Sequence, residues 1–149
     1  MKQVKKAKIR LIGRRELVDF PELDLMQVEA KIDTGAYTSS LHCEKIELSY
    51  EDAKPVLYFT IETGKKAIRF EEFGRKKIKN SFGEMEERFV IKTLIGIGGK
   101  KITGTISLSN RDNMRYPALI GRRIIKGKFI IDPKKTHTGG ISLKKDWRS

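Results

Sequence analysis

The sequence predicts a mostly β protein, folded as a barrel or a closed sandwich of strands. Several segments alternate apolar and polar residues, and turn signals recur about every 8–12 residues. No apolar periodicity supports a helix longer than about two or three turns. At 149 residues with 38% hydrophobic side chains, the chain is long enough to bury a core of its own. We therefore expect residues 1–149 to form a single domain.

The first half of the chain is expected to contain four strands. Segments 7–13 (AKIRLIG) and 26–33 (MQVEAKID) alternate, and segment 55–64 (PVLYFTIETG) alternates strongly between Pro55 and Gly64. Between the first two, RRELVDFPELDL predicts a loop or short turn because Pro21 and acidic residues interrupt the pattern. Segment 38–50 is predicted as one further strand after a tight turn at Gly35–Ala36.

The second half is expected to contain a hairpin and two more strands. Segment 76–96 has a turn signal at residues 80–83, and segment 100–109 alternates along its whole length. The glycines of GIGGK (96–100) indicate an ordinary hairpin turn between these arms. An apolar run at 118–120, a short helical or extended piece and a strand at 128–132 follow. The basic tail, residues 134–149, is expected to be loose.

The charge is concentrated in one half of the sequence. Lys and Arg number 32 and Asp and Glu 19, a net charge of +13. Residues 1–74 hold 13 basic and 13 acidic side chains, whereas residues 75–149 hold 19 and 6. This asymmetry favours an anionic partner such as RNA, the ribosome or an acidic peptide over a merely solvated surface. Aromatic residues make up only 8% and are not interleaved with the basic runs, which argues against a base-stacking platform.

Two features indicate the compartment. No run of about 18 apolar residues is present, so no membrane contact is expected. The N-terminal MKQVKKAKIR lacks the apolar region of a signal peptide. Cys43 is the single cysteine, which excludes an internal disulfide and fits a cytoplasmic protein.

Two separated motifs suggest the chemistry. Residues 32–36 read Ile-Asp-Thr-Gly-Ala, and residues 118–122 read Ala-Leu-Ile-Gly-Arg. An aspartate at the end of an apolar strand is costly unless it is paired or used. Together the motifs resemble one lobe of a retroviral aspartic protease. That resemblance implies that the aspartate lies on a glycine turn, that the threonine hydroxyl locks this turn, and that the later strand crosses beneath it.

Longer segments narrow the resemblance. KIDTGAYTSSLH, IKNSFGEMEERFVI and RDNMRYPALIGRR occur in the order found in a bacterial retropepsin-like family named ATP-dependent zinc proteases. This family is associated with ATP-grasp ligases that add glutamates to ribosomal protein S6, and the likeness covers roughly residues 8–133. It implies a retropepsin-like closed β-barrel with little helix and an aspartic peptidase acting on acidic or glutamate-tailed peptides. It also implies association with the ribosome or with the ligase.

The chemistry of such a site needs two carboxylates that share one proton, because two adjacent carboxylates do not both ionise. The chain has one Asp-Thr-Gly, so a working site requires a homodimer. The resemblance assigns Asp33 as the catalytic residue and residues 77–88 as a flap hairpin over the substrate. The supporting residues are Thr34, Gly35, Ala36, Thr38, Ile120, Gly121 and Arg122 for the active-site loop, Asn80, Ser81, Phe82 and Gly83 for the flap, and Lys77, Lys79, Arg88 and Arg115 for steering the substrate.

The zinc and ATP of the family name find little support in the residues. GRRIIKGK lacks the spacing and hydroxyl residue of a P-loop, and no HExxH motif is present. His42, Cys43 and Glu44 are adjacent, so on a strand only alternate side chains share a face. We therefore predict neither a metal nor a cofactor, and favour His42 as a support of the aspartate loop over a zinc ligand at His42 and Cys43.

A second interpretation is a non-catalytic basic β module that binds the ribosome, RNA or a glutamate-ligase partner. It depends on the charge of residues 75–149. In this case Asp33 would be a strand-end aspartate bonded to nearby backbone. For either interpretation, one of Arg122 and Arg123 is expected to pair with a carboxylate at the base of a dimer and the other to belong to the basic surface.

Overall fold

The computed structural model describes residues 8–62, 64–80, 82–110 and 115–143, and most of them lie in strands. The mostly β prediction is therefore confirmed. The elements are β1 (Arg10–Phe20), a 3-10 turn (Pro21–Leu23), β2 (Leu25–Asp33), β3 (Ser39–His42), β4 (Lys45–Glu51), β5 (Lys54–Thr60), β6 (Ile68–Phe70), β7 (Gly74–Lys79), β8 (Met85–Ile97), β9 (Lys100–Ser109), β10 (Ala118–Gly121), α1 (Arg122–Ile125), β11 (Phe129–Thr136) and β12 (Ile141–Ser142). Within these ranges, no helix has the length and apolar character needed to cross a membrane.

The larger sheet interleaves strands that are distant in sequence. Its order is β11-β1-β2-β10-β3-β9-β8-β7, with β12 also on β1 and a further pairing of β1 with β8 at Asp19 and Gly96. β10 runs parallel to β2 and antiparallel to β3. The connection from β2 to β3 therefore passes over the end of a strand that follows it by about 80 residues in the chain.

The core lies on the inner faces of these strands. Phe20, Ile95, Ile106, Leu108 and Ile120 are almost fully buried, which matches the apolar phase of the alternating segments. β4, β5 and β6 form a separate three-stranded sheet, and its Leu57 and Phe59 join the same core. Burial of apolar side chains is the dominant stabilising contribution here.

Several predicted elements are confirmed and three are corrected. β5 and β9 lie where segments 55–64 and 100–109 were predicted, and Ile97 pairs with Lys100 across the glycine turn of GIGGK. RRELVDF is not a loop, because β1 continues to Phe20 and buries Val18. Segment 38–50 is not one strand, since the chain leaves the large sheet after His42 and β4 belongs to the other sheet. β6 was not predicted.

The expectation of a loose tail from residue 134 is wrong for residues 134–143, and the last six residues lie outside the described ranges. β11 extends to Thr136, the His137 backbone N–H donates to the Arg15 carbonyl at 2.9 Å, and β12 pairs with β1. The Glu16 carboxylate of β1 holds this segment. It accepts hydrogen bonds from Thr138 N–H (3.1 Å), the Thr138 hydroxyl (2.7 Å) and Gly139 N–H (3.0 Å), besides Gly13 N–H at 2.7 Å.

The buried Glu16 is stable as an anion because its oxygens are fully used. Its exposed fraction is 1%. Burial raises the pKa of Glu16, but the hydrogen bonds from Gly13, Thr138 and Gly139 outweigh that effect and bring the pKa below its ordinary value. The ionised carboxylate therefore contributes to the stability of the folded chain at neutral pH.

We predict that Glu16→Gln lowers the free energy of unfolding at pH 7 by about 2 kcal/mol, because an amide replaces a carboxylate that accepts charge-assisted bonds. Since the folded pKa lies below the unfolded value of about 4.3, the contribution is complete above that value and is lost as the pH falls through the folded pKa. The difference between the two proteins should therefore shrink below about pH 4. Urea unfolding across pH 3 to 8 measures it, with the exposed Glu62→Gln as control. An equal difference at both ends of this range would contradict the prediction.

Candidate active site

Asp33 ends β2 beside the end of β10. In the parallel pairing of these strands, Ile32 aligns with Ile120 and Asp33 with Gly121. The half-buried Asp33 side chain accepts a hydrogen bond through Oδ1 from the Gly35 backbone N–H at 3.0 Å, and the Ala36 N–H donates to the Asp33 carbonyl at 3.2 Å. The predicted tight turn at Gly35–Ala36 is therefore present, and it fixes the direction of the carboxylate.

Gly121 lets β10 approach this loop closely. A Cβ at that position would lie 2.8 Å from the Ala36 carbonyl oxygen and 2.9 Å from that of Thr38, which is closer than real Cβ atoms come. The Gly121 N–H donates to the buried Ser39 Oγ at 2.9 Å, and the Ser107 hydroxyl donates to the Ser39 carbonyl at 3.3 Å. Sequence reasoning missed both serines, because a serine on an alternating strand carries no signal of an inward hydrogen bond.

Arg122 holds the other side of the loop. Its Nη1 donates to the carbonyls of Thr34 and Gly35, each at 3.2 Å, and its backbone N–H donates to the Ala36 carbonyl at 2.8 Å. Its guanidinium also lies 5.5 Å from the centre of the Tyr37 ring. Arg123, by contrast, is exposed and contacts the loop through its backbone N–H, which donates to the Tyr37 carbonyl at 3.3 Å.

A lysine of β7 reaches the same loop. Lys76 Nζ lies 5.2 Å from the centre of the Tyr37 ring and 3.5 Å from the Thr38 hydroxyl oxygen. Tyr37 is thus contacted by two cations, from β7 and from α1, and is still 51% exposed. Neither Tyr37 nor Lys76 was selected from the sequence, because nothing in the order of residues indicates that β7 lies beside the loop after β2.

The hairpin of β7 and β8 has the predicted turn. Lys79 pairs with Met85, and the Asn80 side-chain oxygen accepts hydrogen bonds from the Phe82 N–H at 3.0 Å and the Glu84 N–H at 3.1 Å. Gly83 has φ of 81°, a conformation that favours glycine. Phe82 is 87% exposed. Ser81, predicted at this tip, lies outside the described residues.

The predicted steering residues differ in their surroundings. Lys77 and Lys79 are exposed on β7. Arg88 is bonded to Glu86, so its charge is compensated locally. Arg115 lies with its guanidinium 5.8 Å from the centre of the Tyr116 ring. Of the four, Lys77 and Lys79 are therefore the most available to an acidic ligand.

The residues near Cys43 do not fit a zinc site. Cys43 is fully buried, and burial raises the pKa of its thiol to about 12. Its sulfur lies 3.8 Å from the Leu41 carbonyl oxygen. In the described ranges, no group of three or more His, Cys, Asp and Glu side chains is arranged to hold a metal ion. Because zinc binds thiolates, the buried thiol is a poor ligand.

Comparison with known proteins gives consistent matches. A family model described as retropepsin-like aspartic endopeptidase RimB matches residues 11–140. Relatives from Shewanella halifaxensis and Desulfotalea psychrophila, each named probable alpha-L-glutamate ligase, are 36% and 34% identical over 85% and 83% of this chain. The chain spans only 29% and 28% of their lengths. A solved structure of a Legionella pneumophila protein of unknown function matches 91% of this chain and 99% of its own, with 31% identity and a TM-score of 0.69.

We predict that Gly121→Ala displaces the aspartate loop. The added methyl group meets backbone atoms, which cannot rotate away, so we expect a loss of about 1–3 kcal/mol in the free energy of unfolding. Gly74→Ala is the matched control, since its Cβ would meet only the Val90 side chain at 3.3 Å. Urea unfolding of both variants measures the effect, and equal losses would contradict the role given to Gly121.

Arg122→Ala and Arg123→Ala remove the same charge from adjacent positions. We expect the first to destabilise the fold by about 1 kcal/mol, because it removes the bonds to the loop carbonyls and the contact with Tyr37. The second should stay within about 0.5 kcal/mol of the original protein, since only its backbone contacts the loop. Limited proteolysis at the loop should separate the two variants in the same way. Faster cleavage of the Arg123 variant would contradict this assignment.

Proposed function

The chain belongs to the RimB-like family of retropepsin-like aspartic endopeptidases, and from this premise we propose that it is an aspartic peptidase in which Asp33 activates water at the two-fold axis of a homodimer. The observation that carries the proposal is the loop of Asp33, which the segment ending in Gly121 and Arg122 holds in three ways: by the pairing of β10 with β2, by the bond from Gly121 N–H to Ser39, and by the bonds from Arg122 to loop carbonyls. A strand-end aspartate with only a structural role would not require so many supports.

The homodimer follows from the reaction. Peptide hydrolysis at an aspartic site uses one ionised and one protonated carboxylate. The ionised carboxylate takes a proton from water, the resulting hydroxide attacks the peptide carbonyl, and the protonated carboxyl donates to the carbonyl oxygen. The attack gives a tetrahedral intermediate. When it collapses, its C–N bond breaks, and the leaving amine takes the proton that the ionised carboxylate gained from water. Because one subunit supplies one Asp-Thr-Gly, the second carboxylate comes from Asp33 of a second copy.

Exposure of the loop supports this assembly. Thr34 and Gly35 are exposed at the turn next to Asp33, and Tyr37 is half exposed beside them. Within the described part of the chain the Thr34 hydroxyl makes no hydrogen bond, although the sequence predicted that it locks the turn. The turn is locked by Gly35 and Arg122 instead. The free hydroxyl is available to the second copy at the proposed interface.

The β7–β8 hairpin is the proposed flap. Its base is connected to the aspartate loop by Lys76, whereas its tip presents Phe82 and Met85, exposed at 87% and 62%. An exposed aromatic residue on a glycine turn suits a segment that gains its contacts only when substrate is bound. Asn80, Ser81 and Gly83 form the turn in this proposal.

An acidic peptide is the proposed substrate. Lys76, Lys77 and Lys79 lie on the flap strand that borders the site, and Arg115 lies in the same basic half of the sequence. Arg88, which pairs with Glu86, would contribute to steering only if an acidic substrate displaced that glutamate. Relatives that contain a similar region are named alpha-L-glutamate ligases, so a glutamate-tailed chain and association with such a ligase are proposed here. Residues 1–149 would act as one cytoplasmic domain, with the β1–β8 pairing closing the sheet into a barrel.

The test is mass spectrometry of glutamate-tailed peptides incubated with the full chain from acidic to neutral pH. We expect cleavage by the original protein and at least about a hundredfold less by Asp33→Asn, because the amide cannot take a proton from water. A glutamine-tailed peptide of the same length controls for charge, and a chelator arm tests the dependence on metal. Cleavage that survives Asp33→Asn would overturn the assignment of Asp33, and cleavage lost with the chelator would overturn the aspartic mechanism.

Mixing the two proteins tests the dimer separately. The original protein and Asp33→Asn are mixed in equal amounts and allowed to exchange subunits. If each site needs Asp33 from both subunits, only dimers of two original subunits are active, and these are about a quarter of all dimers. Activity should then fall to about half that of the same original protein incubated alone. Unchanged activity after complete exchange, followed by native mass spectrometry, would show that one carboxylate suffices.

A further inference from the structure

A second cationic site lies away from the aspartate loop and shares no residue with it. An open cavity of about 430 Å³ lies between the start of β1, the β8–β9 turn and the segment after α1. Most of its lining residues are cations: Lys8, Arg10, Lys100, Lys101 and Lys128. This volume is in the range of small-ligand pockets.

The charges of this pocket are not compensated by carboxylates, although Lys100 Nζ lies 5.7 Å from the centre of the Phe129 ring. No carboxylate lines the cavity, and across the described residues none of its five cations forms an ion pair. Burial lowers the pKa of Lys100, and the nearby charges of Lys128 and Arg10 lower it further. Gathering like charges in one place costs free energy unless an anion binds there. Elsewhere the chain does pair its cations, as Arg69 does with Glu51 and Glu71.

Arg10 shows that the pocket is built and not a chance grouping of surface lysines. Its Nη2 donates to the Gly140 carbonyl at 2.7 Å and its Nη1 to the Ser142 hydroxyl at 3.3 Å. Gly99 has φ of 79°, a conformation that favours glycine, and a Cβ there would lie 3.1 Å from the Arg10 Cζ, so the glycine lets the turn pack closely against the guanidinium. The Arg10 Nε is buried and has no hydrogen-bond partner. Arg10 is therefore a fixed positive charge in the wall of the cavity, and the donors that a ligand can reach are the lysine ammonium groups.

We propose that this pocket binds a phosphate group. The two terminal nitrogens of Arg10 already hold the C-terminal segment, so its planar fork is not free to pair with a carboxylate. The remaining donors are lysine ammonium groups, which bind phosphate as point charges. A phosphate monoester carries about two negative charges and several acceptor oxygens, so it balances this cluster better than one carboxylate does. The phosphate comes either from a nucleotide, as a terminal monoester, or from the backbone of single-stranded RNA, where neighbouring phosphodiesters each carry one negative charge.

Binding by the full chain at low ionic strength tests the proposal. The probes are inorganic phosphate, ADP and a single-stranded RNA 12-mer, each followed by calorimetry. Lys100→Gln with Lys128→Gln should weaken binding of phosphate about tenfold or more, since each charge-assisted hydrogen bond to the anion is worth about a factor of ten. Lys54→Gln with Lys92→Gln is the matched control, because both residues are exposed and the net charge changes equally. This control should change the affinity by less than about threefold.

The probes distinguish the two sources of phosphate. If RNA is the ligand, its binding by the pocket variant should depend less steeply on salt. The magnitude of the slope of log K against log salt concentration should be smaller by about 0.7 for each RNA phosphate that this variant no longer neutralises. The slope of the control variant should not change. If a nucleotide is the ligand, the pocket variant should bind ADP more weakly than the original protein and the control do. The affinity of the pocket variant for RNA should then equal that of the control. Equal weakening by both variants for every probe, or no binding of phosphate, ADP or RNA by the original protein, would overturn the proposal.

Discussion

The position of β10 between β2 and β3 is the constraint on which the rest of this structure depends. The strands on either side are joined by only a few residues directly after Asp33, whereas β10 arrives from residues 118–121. The loop between β2 and β3 takes its shape from contacts with Gly121 and Arg122, so it exists only when the second half of the chain is already folded. Bringing residues 118–122 back to the loop after β2 costs chain entropy, which the packing of the whole sheet must offset. The geometry of Asp33 therefore depends on the folding of the whole sheet.

The Glu16 carboxylate makes a similar long-range connection. Its partners Thr138 and Gly139 lie more than 120 residues further along the chain, and they place β12 beside the start of β1. Arg10 in the same strand holds Gly140 and Ser142. β1 is therefore paired on one side with β2, which carries Asp33, and on the other with β11. The Glu16 carboxylate, bonded mainly to backbone groups, and the Arg10 guanidinium together attach residues 138–142 to β1.

The predictable parts of the fold are those with a clear local sequence pattern, such as alternating apolar and polar residues bounded by turn residues. β5 and β9 alternate and end at turn residues, so the period of two identified them. The turn at Gly35 and the apolar segment ending in Gly121 were also recognisable as motifs. The strand at RRELVDF was not recognisable, because its glutamate, Glu16, has the pattern of an exposed residue. Glu16 is buried only because residues 138–139, far along the chain, bind its carboxylate. Ser39, Tyr37 and Lys76 were missed for the same reason, since their contacts come from strands that only the folded topology brings together.

The net charge of +13 does not by itself indicate where an anion binds. Arg122 directs its guanidinium at carbonyls and an aromatic ring, Arg88 is bonded to Glu86, and Arg69 is bonded to two glutamates. These cations have their charge satisfied inside the fold. A candidate anion site is better indicated by several cations that lie close together without a carboxylate beside them. In the described residues the cavity at Arg10 has this character, and Lys77 and Lys79 on the flap strand are exposed without an ion pair. The two groups share no residue, so an acidic peptide at Asp33 and a phosphate at Arg10 would bind without competing for the same side chains.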